Sequence, residues 1–398
     1  MIYFAIVFGV NSLEPPTLYT QGRYAATLYI FKTITYEIFL KVYGKIEKSI
    51  DCTQDKRIKV KIINIDKDLS YKVFNITNGR LYTNRIHDTA VLLDNKIIEE
   101  PSFQLRYKGP FIVNLNIRDN IVIKKGTPRK LKKLDGTVLS LLTGGAGNTN
   151  YWHWLFDVLP KLSLCSKTLD LNNIDYFLLP DHIKKFQIET LDCLNIPEHK
   201  RLSSEIFRHI KAKQLIVTDH PVGISENPTK DIMNMPIWIS KWLKAMFLNQ
   251  IVKNDEKMIK KIYIDRNDTT SKQPSPRFIS NEDEVKKYLK RNNFISIKLH
   301  ELKFIDQVKL FYDADCIVGL HGGGFANIVF CKPKTEIIEL KGIHSGNPIE
   351  NLAKKNDLNY TSLTVEAKQS HPNQEQIKWQ QGRIHVPIEN LSKILENK

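Results

Sequence analysis

The chain has 398 residues, 42% hydrophobic, 10% aromatic and 26% charged, an ordinary globular composition too long for one small module. Its 59 Lys and Arg outnumber 43 Asp and Glu, and the formal net charge of +16 calls for an acidic partner. These figures exclude intrinsic disorder, a collagen-like repeat, a disulfide scaffold and a multi-span membrane protein.

The first ten residues, MIYFAIVFGV, are apolar but fall short of the roughly 20 that a membrane helix needs, so they read as a buried strand. They lack the basic leader and small-residue cleavage site of a signal peptide. YEIFLKVYGKIEK then reads as a helix with one apolar side. Over 55–125, short β-rich runs broken by Asn-Gly, Asp-Asn and Gly-Pro predict a strand-rich segment with hairpins.

After the basic stretch 124–133 the pattern becomes strand and helix in alternation. VLSLLT (138–143) is a strand, GGAGNTN a loop, YWHWLFDVLPKLSLC a helix, and KQLIVTD (213–219) a later strand. Pro, Asn and Gly crowd residues 220–236, the best linker. Beyond it come strand KKIYIDR (260–266), a helix starting at Ser280 or Asn281 in a capping-box pattern, helix FIDQVKLFYDA and strands DCIVGL and TEIIEL. Alternation of this kind predicts parallel sheets with crossover helices, in two Rossmann-like α/β domains.

Cys52, Cys165, Cys193, Cys316 and Cys331 form no CxxC pair and read as free thiols in a reducing compartment. The strongest local signal is HGGGFAN, His321 to Asn327, directly after a buried strand. Its glycines let backbone N–H groups approach an anion, a diphosphate above all. The same motif also suits a hydrolase oxyanion loop, but no G-x-S-x-G elbow accompanies it, or a plain tight turn. Arg266 ends strand IYIDR, where ligands of open α/β sheets bind, with Lys272 and Arg277 in the next loop. These cations suit phosphate oxygens, or a surface ion pair. Glu339 ends another strand, as a ribose ligand or an exposed edge position.

His153 and Asp157 stand four residues apart on one helix face, so the carboxylate can orient the imidazole or either group can act as base; a local helix contact is the plainer reading. The acidic pairs Asp66/Asp68 and Asp313/Asp315 read as structural, and no metal requirement is expected.

In this order, NTNYWHWLFDVLPKL, IYIDR, ISNEDEV, FIDQVKLFYDADCIVGLHGGGFANIVF and TEIIEL resemble glycosyltransferase family 61, which includes plant xylosyltransferases, animal O-GlcNAc transferases and bacterial capsule enzymes. The usual family loop H-G-A-G-L reads here H-G-G-G-F, with Gly323 and Phe325 replacing Ala and Leu. The resemblance implies a GT-B architecture of two facing Rossmann-like domains, here an acceptor-side unit over 1–225 and a nucleotide-sugar unit over 237–365, with the tail 366–398 packing back on the first. It also implies inverting, metal-free transfer of a sugar, from a UDP-sugar donor, to a glycan, lipid-linked saccharide or capsular acceptor, without a cofactor. By the same resemblance His153 and Asp157 are the base side, while Arg266, His321, Gly322, Gly323, Gly324, Asn327 and Glu339 hold the donor, and Arg277, read from its place in the loop after IYIDR, joins them as a donor-binding cation.

Protein O-glycosylation is the alternative acceptor chemistry. A non-catalytic nucleotide- or nucleic-acid-binding protein is the alternative class, against which basic residues lie scattered among acids with no nucleic-acid motif. The expected location is the cytoplasm, free or peripheral at the inner membrane face. The basic stretch 124–133 is a surface for an anionic polysaccharide, a lipid-diphosphate acceptor or that membrane face, or else a solvated loop.

Overall fold

The computed structural model describes residues 18–50, 55–84, 89–108, 111–145, 150–251, 259–266, 277–368 and 382–396. The strand expected over the first ten residues, and Cys52, lie outside them. The chain enters through a 26-residue helix, Leu18–Tyr43, which covers the first part of the expected helix and stops before Gly44 turns it with positive φ.

Six strands follow: β1 (Glu47–Ile50), β2 (Ile58–Asn64), β3 (Ser70–Thr77), β4 (Arg80–Thr83), β5 (Thr89–Leu93) and β6 (Lys96–Ile98). A separate hairpin pairs β7 (Leu105–Lys108) with β8 (Phe111–Asn114). The strand-rich reading therefore holds, but this region is not a separate layer. β9 (Lys132–Ser140), β10 (Tyr176–Leu179), β11 (Arg201–Ser203) and β12 (His209–Thr218) join the same ten-stranded sheet. β12 is parallel to β9 on one side and antiparallel to β3 and β4 on the other. The sheet is thus mixed rather than parallel. Strand β9 begins six residues earlier than VLSLLT suggests, because Lys132 and Lys133 pair with β12, Lys133 exposed and the Lys132 ammonium 4.2 Å over the Phe207 ring.

The second half carries a wholly parallel sheet. Its strands are β13 (Lys261–Ile264), β15 (Ile295–Ile297), β16 (Cys316–Leu320), β17 (Glu336–Gly342) and β18 (Asn359–Val365), in the order β15-β13-β16-β17-β18. β14 (Arg277–Ile279) instead pairs with β20 (Gly382–Ile384), which also pairs with β19 (Ala367–Lys368). β16 reads CIVGL and is buried at every position, as a central parallel strand covered on both faces must be.

One buried cluster runs through both halves, joining Leu139, Trp154 and Ile216 to Ile262, Phe304 and Phe330. The expected linker is itself packed. Pro228–Met233 is a helix, Tyr71 donates to Pro221 O at 2.7 Å, and Asn351 donates to Met233 O at 3.0 Å. The described part of the tail packs on the second half, not back on the first. β20 pairs β14, and Leu391 of the helix Ile388–Glu396 is buried with Val285 and Leu289. Asn281 precedes the helix Glu282–Arg291 without capping it through its side chain. Its amide is turned to the tail, accepting from Val386 N at 3.0 Å and donating to Val386 O at 2.9 Å.

A buried imidazole pins the start of β12. His209 Nδ1 donates to Arg129 O at 2.8 Å, and its Nε2 faces Arg80 Nη2 at 3.0 Å, so the neutral ring is required. Burial, reinforced by the Arg80 charge, pushes its pKa down to about 4. The unfolded chain takes up that proton near pH 6.5, the native state only near 4, so stability falls as pH drops through this window by about 1.4 kcal/mol per unit. Thermal melting from pH 7.5 to 4.5 is expected to show that decline, and His209→Gln a shallower one.

Candidate active site

Two switch points, one in each sheet, bring the chemically capable residues together. In the first sheet β9, β10 and β11 step one way, and β12 returns to the far side of β9. The chain leaves the adjacent carboxyl ends of β9 and β12 at this switch point, the topology at which crevices open in α/β sheets. In the second sheet the chain leaves β13 in one direction and β16 lies on the other side of it, so the same crevice forms between the loops after β13 and β16.

The first crevice holds the His153/Asp157 pair. Asn150 caps the helix after β9, accepting from Trp152 N at 3.0 Å. The helix expected as one piece is α-helical over Tyr151–His153, a π-helix over Trp154–Val158, and α-helical again over Pro160–Ser166. Pro160 explains the change: it cannot donate to Phe156 O and its ring would collide there, so the turn widens and Leu159 N bonds Trp154 O at 3.1 Å. Within the wide turn His153 Nδ1 meets Asp157 Oδ2 at 2.6 Å. Asp157 is 2% exposed, while His153 remains partly open.

Packing adds three residues to this pair, two of them from distant parts of the chain. His220, just after β12, is fully buried, and its Nε2 lies 4.0 Å from Asp157 Oδ2 with no hydrogen-bond partner. Its Nδ1 accepts from Val222 N at 3.4 Å, and burial pushes its pKa down to about 4, so the ring is neutral. Lys161 is buried one turn beyond Asp157 and donates to Thr218 O at 3.0 Å; burial brings it down to about 7. Phe103, from the strand-rich region, closes the cluster, its ring 5.7 Å from that of His220 and 5.8 Å from Lys161 Nζ. His220 and Phe103 have no local signature, whereas Lys161 stands at helical i,i+4 spacing from Asp157.

The second crevice gathers Arg266, Arg277, His321 and Glu339. Arg266 Nη1 donates to His321 O at 2.7 Å, so the arginine after β13 is laid over the loop after β16. Gly322 makes room for it: a Cβ there would lie 2.4 Å from Arg266 Nη1. Arg277 opens β14 and lines a small cavity with Leu320, His321, Gly342 and Ser345. Burial, with repulsion from Arg266, lowers its pKa to about 10, which leaves it cationic at neutral pH. Two guanidiniums held near each other over glycine backbone favour an anion between or beside them. Lys272 lies outside the described residues.

Several assignments change on contact with the structure. Glu339, expected as a ribose ligand, is wholly buried with both oxygens taken by side chains of the protein. One oxygen takes His321 Nδ1, the other takes the Tyr360 hydroxyl, and Lys341 Nζ stands 3.8 Å away. It orients His321 instead. Asn327 is no diphosphate ligand either: fully buried, it accepts from Tyr151 OH at 2.5 Å and donates to Gln307 Oε1 at 3.0 Å. Gly324 packs against Leu299 and Ile264, and Phe325 fills the core over Gly319. At Gly323 a Cβ would meet nothing nearer than 4.0 Å, so the family's alanine fits there. The run 323–330 is a 3-10 helix.

The Tyr151–Asn327 bond joins the two crevices directly, with Trp152 N 4.0 Å from the Cβ position of Gly323. Phe304 N and Glu189 Oε2, 2.7 Å apart, bridge the halves a second time. Residues 151–338 match the family model Glycosyltransferase 61. This segment is a glycosyltransferase 61 domain.

The matched stretch begins at Tyr151 and contains His153, Asp157, His220, Arg266 and the glycine loop. Glu339 and Tyr360, which hold His321, lie just beyond it, and Phe103 lies well before it. Glycosyl transfer is therefore the activity class of the glycosyltransferase 61 domain. Among curated proteins no match to the chain is found. Of the acidic pairs, Asp66 accepts from Asp68 N in a turn, while Asp313 and Asp315 face Lys332 and Lys260 at 3.8 and 3.3 Å. Among the described residues no helix is long and apolar enough to cross a membrane.

Proposed function

We propose that the protein is an inverting, metal-independent glycosyltransferase that moves a sugar from a UDP-sugar to a hydroxyl of a glycan, lipid-linked or capsular saccharide. In this reading the two sheets are the halves of a GT-B enzyme, the acceptor side over 1–225 and the donor side over 237–365. The observation that carries it is the juxtaposition of a His153–Asp157 pair with a paired-arginine glycine loop across the Tyr151–Asn327 contact.

Asp157 accepts the Nδ1 proton of His153, which leaves the Nε2 lone pair as the base. Asp157 is too buried to reach an acceptor itself, and so it orients and stabilises the imidazolium. His153 Nε2 takes the acceptor proton as the hydroxyl oxygen bonds the anomeric carbon from one face. The bond from that carbon to the diphosphate breaks on the other face. Arg266, Arg277 and the loop N–H groups receive the charge that develops there. His321, fixed by Glu339 and Tyr360, is positioned beside that leaving group. Free thiols at Cys165, Cys193, Cys316 and Cys331 support a cytoplasmic location.

The test combines melting temperature with product mass spectrometry across a panel of UDP-sugars, with chelator present throughout. Stabilisation by UDP and a product of inverted anomeric configuration are expected. Turnover abolished by chelator, or stabilisation by single-stranded nucleic acid alone, overturns the reading.

A further inference from the structure

Over residues 30–43 the entry helix carries apolar residues on two opposite sides. One side is seated on the protein. Tyr43 packs edge-on to His209 at 5.1 Å and accepts from Leu131 N at 2.9 Å, Leu40 fills the space beside Gly126, and Lys125 lies 5.4 Å over the Tyr36 ring. The opposite side carries Ile30, Ile34, Ile38 and Val42, one per turn, with Phe31 beside them. These five are 57%, 48%, 48%, 62% and 47% exposed. An apolar stripe on a helix normally faces something that covers it. A row of that length differs from the scattered single apolar residues of ordinary surfaces.

Charge indicates what covers it. Lys32, Lys41 and Lys45 are exposed on or just after the helix, and Lys124, Lys125 and Lys130 are exposed on the segment packed beneath it. Only Glu37, Glu47 and Asp119 oppose them among the exposed residues of these two segments. In a two-fold dimer through this face the same patch would meet itself, setting lysines against lysines. An anionic bilayer satisfies both features at once: isoleucines enter the acyl boundary while lysines reach up to phosphate.

We propose that the outward face of this helix, with the lysines around it, docks the protein on an anionic lipid surface. The contact lies where β9 and β12 begin, roughly 30 Å along the strands from the candidate active site at their far ends, so it leaves the cleft open. It is independent of the transfer chemistry proposed above. It also gives the basic stretch 124–133, only part of which enters β9, a role beyond a solvated loop.

Vesicle flotation of the full chain tests this, with phosphatidylcholine vesicles compared with vesicles containing one third phosphatidylglycerol. Binding to the anionic vesicles alone is expected, weakening as salt rises. The variant Ile34→Glu/Ile38→Glu should lose binding at least tenfold, as should Lys124→Glu/Lys125→Glu, both with unchanged melting temperatures. Retained binding in the isoleucine variant, or equal binding to neutral vesicles, overturns the proposal. So does a concentration-dependent dimer, seen by light scattering, that the isoleucine variant abolishes.

Discussion

Asp157→Asn is expected to lower kcat by about 10²–10⁴-fold while leaving UDP affinity nearly unchanged, the range that removal of general-base function spans. The asparagine keeps the shape of the buried side chain, but its amide can present N–H to His153 Nδ1. The imidazole then protonates Nε2 instead and has no lone pair to offer the acceptor. His153→Ala should fall to the same level, and the double variant no further, because the two act as one unit. Donor binding, measured by calorimetry, separates this from collapse of the site: the arginines lie on the other sheet and keep their geometry. Full turnover in both single variants would remove the pair from the mechanism.

The second large effect concerns Arg266. Arg266→Ala should weaken UDP binding by about 10–10²-fold, the worth of the hydrogen bonds that a charged donor makes to phosphate. Arg266→Lys restores little, since a point charge cannot reproduce the planar fork laid over His321 O. Gly322→Ala gives the same loss indirectly, because its Cβ would fall 2.4 Å from Arg266 Nη1 and push the guanidinium off the loop. Gly323→Ala is the matched control, with its nearest neighbours at 4.0 Å, and is expected to bind UDP normally. Equal losses in the two glycine variants would mean that the loop, and not the arginine seat, makes the contact.

Legibility in the sequence followed the range of the interaction. The alternation after Lys260 became a wholly parallel sheet, because strand and crossover helix each carry their own period in adjacent residues. HGGGFAN and IYIDR were found because a strand end and its loop are contiguous. The π-turn at Trp154–Val158 was half legible: Pro160 sits where an unbroken α-helix could not accept it. The tail was misplaced because β20 finds its partner β14 about a hundred residues away, a pairing that short runs do not encode.

By itself, then, the sequence determined the types of element, the family-specific residues from Tyr151 to Ile338, and the i,i+4 spacing that puts His153 on Asp157. Tertiary structure alone decided which groups work and which hold them. It set His220 and Phe103, from distant parts of the chain, around the Asp157 and Lys161 that neighbouring helical turns supply. It turned Asn327 inward to bridge the halves, and took both oxygens of Glu339 for His321 and Tyr360. The physical reason is burial: whether a carboxylate or an amide meets a ligand or a neighbour depends on which strands lie beside it, and sheet order is fixed by contacts between distant residues.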